Sequence, residues 1–417
     1  MRKSFLFAFA ATAMLCSCSQ DEAPVANNGG TDDNGLVKIE IGVANKMELG
    51  TRGTGTVGGT SIEENVWSGQ ELNVCMFKKD AKNKSTLEYA KEFDQTTGDS
   101  VEIFDAYTTL NAPDGAVSGE AIRTDEYIKY YPVQGSFDFW GFHLDDAWDP
   151  ANAPEIVENE DGTKSMVVPF VIDGSQDIMA AKAIPTKEDS LAVDNPTTTE
   201  TNEADRIYSA YAARRNVQPN LKFEHLLTRL TFQVKGGDAT VCEGGNGNKI
   251  TVTAIRIKSK TTGTFTIAYT GDAKKQQVVF DDADEGEMLT LKQRPDVLNQ
   301  NEDLIDLDET TTSPKLDDEG NPVYTPIGDA LILAPADEYD IEVEVKQNVE
   351  VKTDGTREDK TDVYRTTFKP TTETTFEAGK SYKVMLTLWG LSKITINTEL
   401  TPWGEGEPID LPIEDLM

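Results

Sequence analysis

The sequence predicts an all-β protein made of tandem β-sandwich domains. Three observations predict this fold: short apolar runs alternate with polar residues, turn-forming residues separate the runs, and long helical patterns are scarce in the 417 residues. The clearest alternation is in residues 339–345, where four apolar side chains share one face and three acidic side chains take the other. Many short strands joined by regular turns are typical of sandwiches.

The chain begins with the pattern of a lipoprotein export signal. Arg2 and Lys3 precede an apolar run at residues 4–15 that is too short to span a bilayer. The run ends in Leu15-Cys16-Ser17-Cys18, which resembles a bacterial lipobox, so we expect removal of residues 1–17 and lipidation of Cys18. Residues 19–22 resemble the signal that sends Bacteroidetes lipoproteins to the outer face of the outer membrane. The alternative is an ordinary secretory peptide with an incidental cysteine.

The mature chain is strongly acidic. The full sequence has a net charge of −34, and the signal removes Arg2 and Lys3 but no acidic residue, which leaves −36. Such a surface repels nucleic acid and anionic lipid, so neither is expected as a partner. No second apolar run of 18 residues follows the signal, so the attached lipid is the membrane contact that we expect.

Two cysteines remain in the mature protein besides the lipidated one. Cys75 and Cys242 are 167 residues apart in the sequence. An oxidising compartment would permit a disulfide between them, but we favour two free, buried thiols.

Composition divides the mature chain into a tether, a first strand, two domains and a tail. Residues 18–35 are polar and rich in Gly, Asp and Asn, as in a flexible tether. Residues 36–52 hold an alternating strand, Leu36–Val43, and the start of a Gly/Thr-rich loop. A polar, proline-containing segment before residue 220 marks a boundary. The sequence therefore predicts an N-terminal sandwich over 53–220, a C-terminal sandwich over 221–392 and a strand segment over 393–417.

Within the two domains we predict ten further strands and one short helix. The helix is expected over residues 203–215. Residues 250–257 change their apolar face midway, which predicts a bulge or burial of both faces. The predicted strands are 72–77, 136–142, 166–171, 221–234, 250–257, 263–269, 276–280, 329–333, 339–345 and 381–388.

No cofactor or metal site is predicted. Gly53, Gly55 and Gly58 have the spacing of a dinucleotide-binding loop, but no crossover helix follows, so a flexible loop is favoured. The two histidines, His143 and His225, are far apart in the sequence and lack metal-site spacing, which favours structural roles.

No catalytic site is predicted either. Residues 281–286 are acidic enough for weak calcium binding but lack the EF-hand spacing. A Gly-x-Ser-x-Gly elbow is missing, and nothing singles out a glycosidase-type carboxylate pair among the 73 acidic residues. We therefore predict that the protein is not an enzyme.

Several segments together resemble the Bacteroidetes fimbrillin family, the pilins of type V fimbriae. The clearest is residues 223–234, FEHLLTRLTFQV, which resembles the Phe-x-His-x-x-x-x-Leu-x-Phe strand of the fimbrillin-like branch. Residues 51–55 resemble the N-terminal processing loop of the family. The other segments with a resemblance are 65–67, 72–77, 130–132, 137–141 and 173–179.

This resemblance implies two transthyretin-like sandwich domains and assembly by strand exchange. An arginine-specific protease would cut between Arg52 and Gly53 and release the first strand, and a C-terminal strand of the next subunit would fill the groove. The residues suit this chemistry, because Arg52 lies in a loop of the exposed kind that proteases need, and the first strand and the tail both alternate as strand addition requires. The candidate donor-strand residues are Ile394, Ile396, Leu400, Trp403, Ile409 and Leu411.

The sequence thus predicts a structural subunit of an adhesive fimbria at the surface of the outer membrane. Its expected partners are copies of itself or related fimbrial subunits, the outer membrane through the lipid, the arginine-specific protease, and a host or bacterial surface ligand.

Several alternatives remain open. Arg52 can be an ordinary loop arginine, and the tail can be a strand of its own sandwich, which would make the subunit a cap or an anchor. The rival functions are a surface hydrolase with unassigned carboxylates and a monomeric glycan-binding lipoprotein. The latter would use tryptophans as stacking platforms, although a core position is favoured for most of Trp67, Trp140, Trp148, Trp389 and Trp403.

Overall fold

The structure, a computed structural model, describes residues 36–45, 71–80, 82, 84–93, 100–104, 106–111, 121–122, 129–193, 207–243, 248–271, 275–293, 305–307, 312–351, 355–391 and 393–401. These residues form mostly strands, here numbered in chain order, and a few short helices. The helices are α1 (Lys187–Val193), α2 (Ala210–Ala213) and a 3-10 turn at Ala239–Val241.

The strands before the predicted boundary at residue 220 are β1 (Ile41–Asn45), β2 (Glu71–Lys79), β3 (Ser85–Tyr89), β4 (Lys91–Phe93), β5 (Ser100–Glu102), β6 (Thr108–Asn111), β7 (Ala121–Ile122), β8 (Phe137–His143), β9 (Glu155–Glu158), β10 (Lys164–Val171) and β11 (Met179–Lys182).

The later strands are β12 (Asn220–His225), β13 (Thr228–Gly236), β14 (Ile250–Ser259), β15 (Thr262–Tyr269), β16 (Gln277–Phe280), β17 (Glu287–Thr290), β18 (Lys292–Gln293), β19 (Ile305–Asp306), β20 (Lys315–Leu316), β21 (Pro322–Val323), β22 (Thr325–Pro326), β23 (Leu331–Leu333), β24 (Tyr339–Glu350), β25 (Arg357–Phe368), β26 (Ser381–Gly390) and β27 (Lys393–Thr401).

An eight-stranded sheet contains the first strand. Its order is β3-β2-β8-β11-β12-β1-β7, with β6 also paired to β2. Every residue of β8 is buried, because the sheet is covered on both faces at this strand. Phe137 and Phe139 pack into one core, and Trp140 and Phe142 pack into the other. This double burial explains the aromatic run in β8, where simple alternation with polar residues would expose one face.

Each face of this sheet has its own covering layer. On one face the core includes Tyr208, Val217 and the buried alanines of α2. On the other face it includes residues of a four-stranded sheet in the order β16-β15-β10-β9. This second sheet joins residues 155–171 to residues 262–280, which lie on opposite sides of the boundary predicted at residue 220. The domain limits remain a prediction.

Two further sheets share a separate core. One has the order β22-β13-β26-β27, with β23 also paired to β13, and the other has the order β17-β14-β24-β25. In β24 the predicted alternation is confirmed: Tyr339, Ile341, Val343 and Val345 are buried and the acidic residues between them are at least partly exposed. The predicted fold class, all-β with sandwich packing of sheets, is confirmed.

The single run predicted over residues 221–234 is instead two strands in two different sheets. β12 pairs with β11 and β1 in the first sheet, and β13 pairs with β26 in another. Backbone hydrogen bonds hold the corner, from Leu226 N to Ile178 O at 2.8 Å and from Gly379 N to Leu227 O at 2.7 Å. The sequence did not reveal this corner, because the corner residue Leu227 is apolar and buried like the strand residues on either side of it.

The helical prediction was correct in part and the bulge prediction was correct. Within 203–215, the described residues form α2, capped by the Ser209 hydroxyl, which accepts from Ala212 N. β14 shifts its register between Val252 and Ala254 opposite β24, so the predicted bulge is confirmed. None of the helices formed by the described residues has the length and apolar character needed to cross a bilayer.

A candidate strand-binding groove

The first strand lies inside the eight-stranded sheet with a neighbour on each side. β1 runs parallel to β12, with Gly42 opposite Asn220, and antiparallel to β7, with Gly42 opposite Ala121. The residues just before β1 are held in the same way. Because both edges are paired, removing this segment would leave a groove with two unpaired backbone edges.

Residues 129–131 form one side of the groove. Tyr131 N donates to Val37 O at 2.9 Å, and Ile39 N donates to Lys129 O at 2.9 Å. These two bonds flank an antiparallel bridge between Lys38 and Tyr130.

The opposite side is built partly from a side chain. Gln218 Nε2 donates to Lys38 O at 3.1 Å, and Gln218 Oε1 accepts from Glu40 N at 3.4 Å. Gln218 Oε1 also accepts from the Tyr131 hydroxyl at 3.1 Å, and all three bonds fit the same orientation of the amide. The backbone ladder takes over with Gly42 N donating to Pro219 O at 2.9 Å.

The side chains of the first strand fill an apolar core. Val37 and Ile41 are 2% and 5% exposed, and they share a core with Tyr131, Leu221 and Phe223. Full burial of two such aliphatic side chains contributes about 3–6 kcal/mol. Loss of the first strand would therefore expose apolar surface as well as unpaired backbone.

The described part of the tail lies in its own sheet. β27 pairs antiparallel with β26 over residues 393–401 and forms the end of that sheet. Ile394 is buried, Ile396 packs partly buried against the same core, and Leu400 is 37% exposed. This is the arrangement that the sequence left open as an alternative for the tail.

Thr398 fastens β27 to the segment that follows β25. Its hydroxyl donates to Lys369 O at 3.0 Å and lies 2.9 Å from the Thr371 hydroxyl. Its backbone N–H donates to Thr371 Oγ1 at 3.3 Å. We call these hydrogen bonds of Thr398 with Lys369 and Thr371 the polar clasp. Because only polar groups form it, it adds little to the apolar core.

The remaining predicted site residues, Cys18, Arg52, Gly53, Trp403, Ile409 and Leu411, lie outside the described residues. So do the glycines of the nucleotide-like loop. The roles predicted for these residues remain predictions.

The two histidines, distant in the sequence, belong to one network, in which His143, Asp177 and His225 are buried. His143 Nδ1 donates to Glu71 O at 2.8 Å, and its Nε2 lies 2.8 Å from Asp145 Oδ1. Asp145 Oδ2 accepts from Asp177 N at 2.9 Å, and Asp177 Oδ2 lies 2.5 Å from His225 Nδ1. The network ties together the ends of β2, β8, β11 and β12.

The surroundings of His143 favour its charged form. A carbonyl and an ionised carboxylate only accept hydrogen bonds, so both ring nitrogens face acceptors. Burial by itself would lower the pKa of His143, but the charge of Asp145 and the hydrogen bond to Glu71 O outweigh it and raise the pKa to about 9. The cation is thus a structural link, in keeping with the structural role favoured from the sequence.

The acidic turn at residues 281–286 uses its main carboxylate internally. Asp284 accepts backbone N–H groups from Thr261, Thr262 and Gly286, and these bonds hold the pKa of its carboxyl well below the usual range. Across the described ranges, no group of three or more His, Cys, Asp or Glu side chains is arranged to hold a metal ion.

The described tryptophans differ in exposure. Trp140 and Trp148 are buried, as favoured from the sequence, whereas Trp389 is 45% exposed with Lys393 Nζ 5.0 Å from its ring centre. Cys75 and Cys242 are free and buried. Burial raises the pKa of both thiols, which makes them unreactive.

Sequence reasoning missed the side chains that form the groove. Tyr131 stood in a segment noted only for its resemblance, and Gln218 stood in a polar stretch interpreted as a domain boundary. A glutamine next to a proline carries no signal of a backbone-binding role, since that role depends on a strand located 178 residues earlier.

A family model described as fimbrillin-like matches residues 54–403. Among solved structures, a candidate cell adhesion protein from Bacteroides uniformis ATCC 8492 is 12% identical, with 89% of this chain and 100% of that chain covered and a TM-score of 0.39. One from Bacteroides ovatus ATCC 8483 is 12% identical, with 91% and 99% covered and a TM-score of 0.39. A candidate adhesin from Bacteroides thetaiotaomicron VPI-5482 is 9% identical, with 89% and 100% covered and a TM-score of 0.37. No curated protein matches significantly.

Proposed function

The chain belongs to the fimbrillin-like family, and from that premise we propose that it is a non-enzymatic structural subunit of an adhesive fimbria on the cell surface. Its maturation is cleavage between Arg52 and Gly53, and its assembly is donor-strand exchange with copies of itself or related subunits. The observation that carries this proposal is the first strand, which occupies a groove with hydrogen-bonding groups on both sides.

The geometry of the groove supports exchange. Before cleavage, β1 is covalently linked to the rest of the domain through the chain that contains Arg52. After cleavage, only hydrogen bonds and the burial of side chains such as Val37 and Ile41 retain it. A segment from another subunit with alternate apolar residues can satisfy the same backbone groups and fill the same pockets.

The tail is the donor in this proposal, so β27 must leave β26 on assembly; a tail that stayed paired with β26 would make the subunit a cap or an anchor. Its candidate residues alternate along Ile394, Ile396 and Leu400, and then along Ile409 and Leu411, with Trp403 between the two sets. In the unassembled subunit β27 lies at the end of its sheet and pairs with β26. A strand at this position can separate from one neighbour without opening the rest of the sheet.

The proposed anchor is the lipid on Cys18, which places the precursor on the outer membrane. A Cys18→Ser variant would lose labelling by radioactive palmitate and would leave the membrane fraction. If the variant stayed in the membrane fraction and kept its label, the anchor would lie elsewhere.

The experiment that tests this function is limited proteolysis of the purified mature protein with an arginine-specific protease. We expect a new N-terminus at Gly53 and a ladder of oligomers on an unboiled denaturing gel. Arg52→Lys should prevent both results, because it keeps the charge but removes the cleavage site. The matched control, Arg214→Lys at an exposed arginine, should behave as wild type. A monomer that stays intact, or that is cut elsewhere without forming oligomers, would contradict the proposal.

A further inference from the structure

The Gln218 side chain makes hydrogen bonds to the backbone of the first strand at Lys38 and Glu40, whereas β12 pairs with residues 42–45. β12 begins at Asn220, and residues 217–219 lie between it and the turn at residues 214–216 that follows α2. Gln218 Nε2 nevertheless donates to Lys38 O, and Gln218 Oε1 accepts from Glu40 N. The side-chain amide therefore continues the hydrogen-bonding pattern of the parallel strand pair beyond the first residue of β12.

This pair of bonds has the pattern of a parallel ladder. In a parallel pair, one residue donates to the carbonyl before its partner and accepts from the N–H after its partner. The Gln218 amide contacts the two groups that flank Ile39 in this way, and β1 and β12 are parallel where the backbone ladder begins. A glutamine side chain can do this because its amide carries the same donor and acceptor as a peptide group.

The Tyr131 hydroxyl holds the Gln218 amide beside the groove by donating to Gln218 Oε1. Tyr131 is 4% exposed, so an unpaired hydroxyl there would be costly. The strand itself selects the orientation of the amide, because Lys38 O only accepts a hydrogen bond and Glu40 N–H only donates one.

We propose that Gln218 is a positioning residue that binds the peptide groups of whichever strand lies in the groove. The inference rests on the proposed function, and it adds that the same amide receives the backbone of the incoming strand of another subunit. Its contacts are to backbone atoms, so Gln218 fixes which edge of the strand faces it and is indifferent to the strand's side chains. The apolar pockets supply the sequence preference.

A backbone-modified peptide tests this role without altering the protein. The probe is a labelled peptide of residues 36–45, added to mature protein that has been cut at Arg52 and freed of its first strand. In a second peptide an ester replaces the amide that joins Ile39 to Glu40, which removes the N–H that donates to Gln218 Oε1. We expect the ester to bind wild type about tenfold more weakly, since each lost hydrogen bond to a buried partner lowers affinity by up to about tenfold. Equal binding of the two peptides would overturn the proposal.

A protein variant completes the test. Gln218→Met keeps the length of the side chain but removes its amide, and it should bind the natural peptide about tenfold more weakly. In this variant the ester peptide and the natural peptide should bind with equal affinity. The matched control is Lys222→Met on the exposed face of β12, which should preserve the difference between the peptides. An ester penalty that is the same in Gln218→Met and wild type would also overturn the proposal.

Hydrogen exchange in the uncut protein separates this inference from the proposed function. Gln218→Met should speed exchange of the Glu40 amide and leave that of Ile39, which donates to Lys129 O, unchanged. If wild type never forms oligomers but this selective effect appears, the proposed function fails and the role of Gln218 stands. If wild type polymerises but the variant exchanges and polymerises identically, only the role of Gln218 fails.

Discussion

The hydroxyl of Tyr131 donates a hydrogen bond of 3.1 Å to Oε1 of Gln218, and it thereby connects the two sides of the groove that holds the first strand. Tyr131 also binds that strand through its own backbone N–H, which donates to Val37 O. One residue thus contacts the strand directly and holds the amide that contacts it from the other side.

The first prediction concerns this hydroxyl. Tyr131→Phe should destabilise the protein by about 1 kcal/mol, because it removes one hydrogen bond and leaves a half-buried acceptor less well satisfied. Urea unfolding would measure the change. Tyr269→Phe, which removes a half-buried hydroxyl from β15, is the control and should have a smaller effect. If the two variants unfolded at the same urea concentration, the hydroxyl of Tyr131 would have no special role.

The second prediction concerns the polar clasp on the tail. Thr398→Val keeps the shape of the side chain but loses its bonds to Lys369 O and Thr371. Amide exchange along β27 should become faster, by a factor of about ten for a loss of about 1 kcal/mol. Thr395→Val, on an exposed position of the same strand, is the matched control. Unchanged exchange in Thr398→Val would show that β26 alone holds the tail.

The third prediction is a pH dependence of stability caused by His143. Its pKa is raised from 6.5 to about 9 in the folded protein, with Asp145, Asp177 and Glu71 O as the groups that favour the cation. The resulting stabilisation is fully present below pH 6.5 and is lost as pH rises through about 9, with a total of about 3 kcal/mol. Thermal unfolding midpoints between pH 6 and 10 would measure it.

Variants identify the source of that pH dependence. Asp145→Asn should flatten the curve because it removes the charge that holds the proton, and His143→Gln should remove this contribution altogether. A wild-type midpoint that stayed constant from pH 6 to pH 10 would mean that His143 is neutral in the folded protein.

The fourth prediction concerns a glycine in the buried strand β8. A Cβ atom at Gly141 would lie 2.7 Å from Cζ of Phe223 and 3.1 Å from Cδ1 of Leu221, the residues that pack against the first strand. Gly141→Ala should therefore destabilise the protein by about 1–3 kcal/mol through overpacking. Gly42→Ala is the comparison, since its Cβ would lie 3.4 Å from Asn220, an ordinary contact. Equal unfolding midpoints for the two variants would show that Phe223 adjusts freely.

Local pattern was enough to predict much of the fold. The alternation of β24 predicts its buried face because that sheet has one face on the core and one toward solvent. The bulge in β14 was visible as a move of the apolar set from Val252 and Ala254 to Ile255 and Ile257, and the register of the strand shifts between Val252 and Ala254. In both cases the signal lies within a few neighbouring residues.

Features that depend on distant residues could not be predicted in this way. The corner at Leu226 and Leu227 is apolar like the strands beside it, so nothing in the pattern marks the change of sheet. The meeting of Asp145 with Asp177, and of His225 with Asp177, requires the order of strands β8, β11 and β12. The role of Gln218 likewise requires knowing that the first strand lies beside it.

The pairing of β1 with β12 also has a consequence for the order of folding. Gly42 and its partner Asn220 are separated by most of the first half of the chain, and closing so long a loop is unfavourable until the intervening residues are organised. The first strand therefore has only one side of its site, at residues 121–122 and 129–131, until residue 220 and its neighbours have formed their sheet. We expect β1 to be the last strand of that sheet to dock. If β1 is added last to the eight-stranded sheet, it can also leave that sheet while the other strands stay folded.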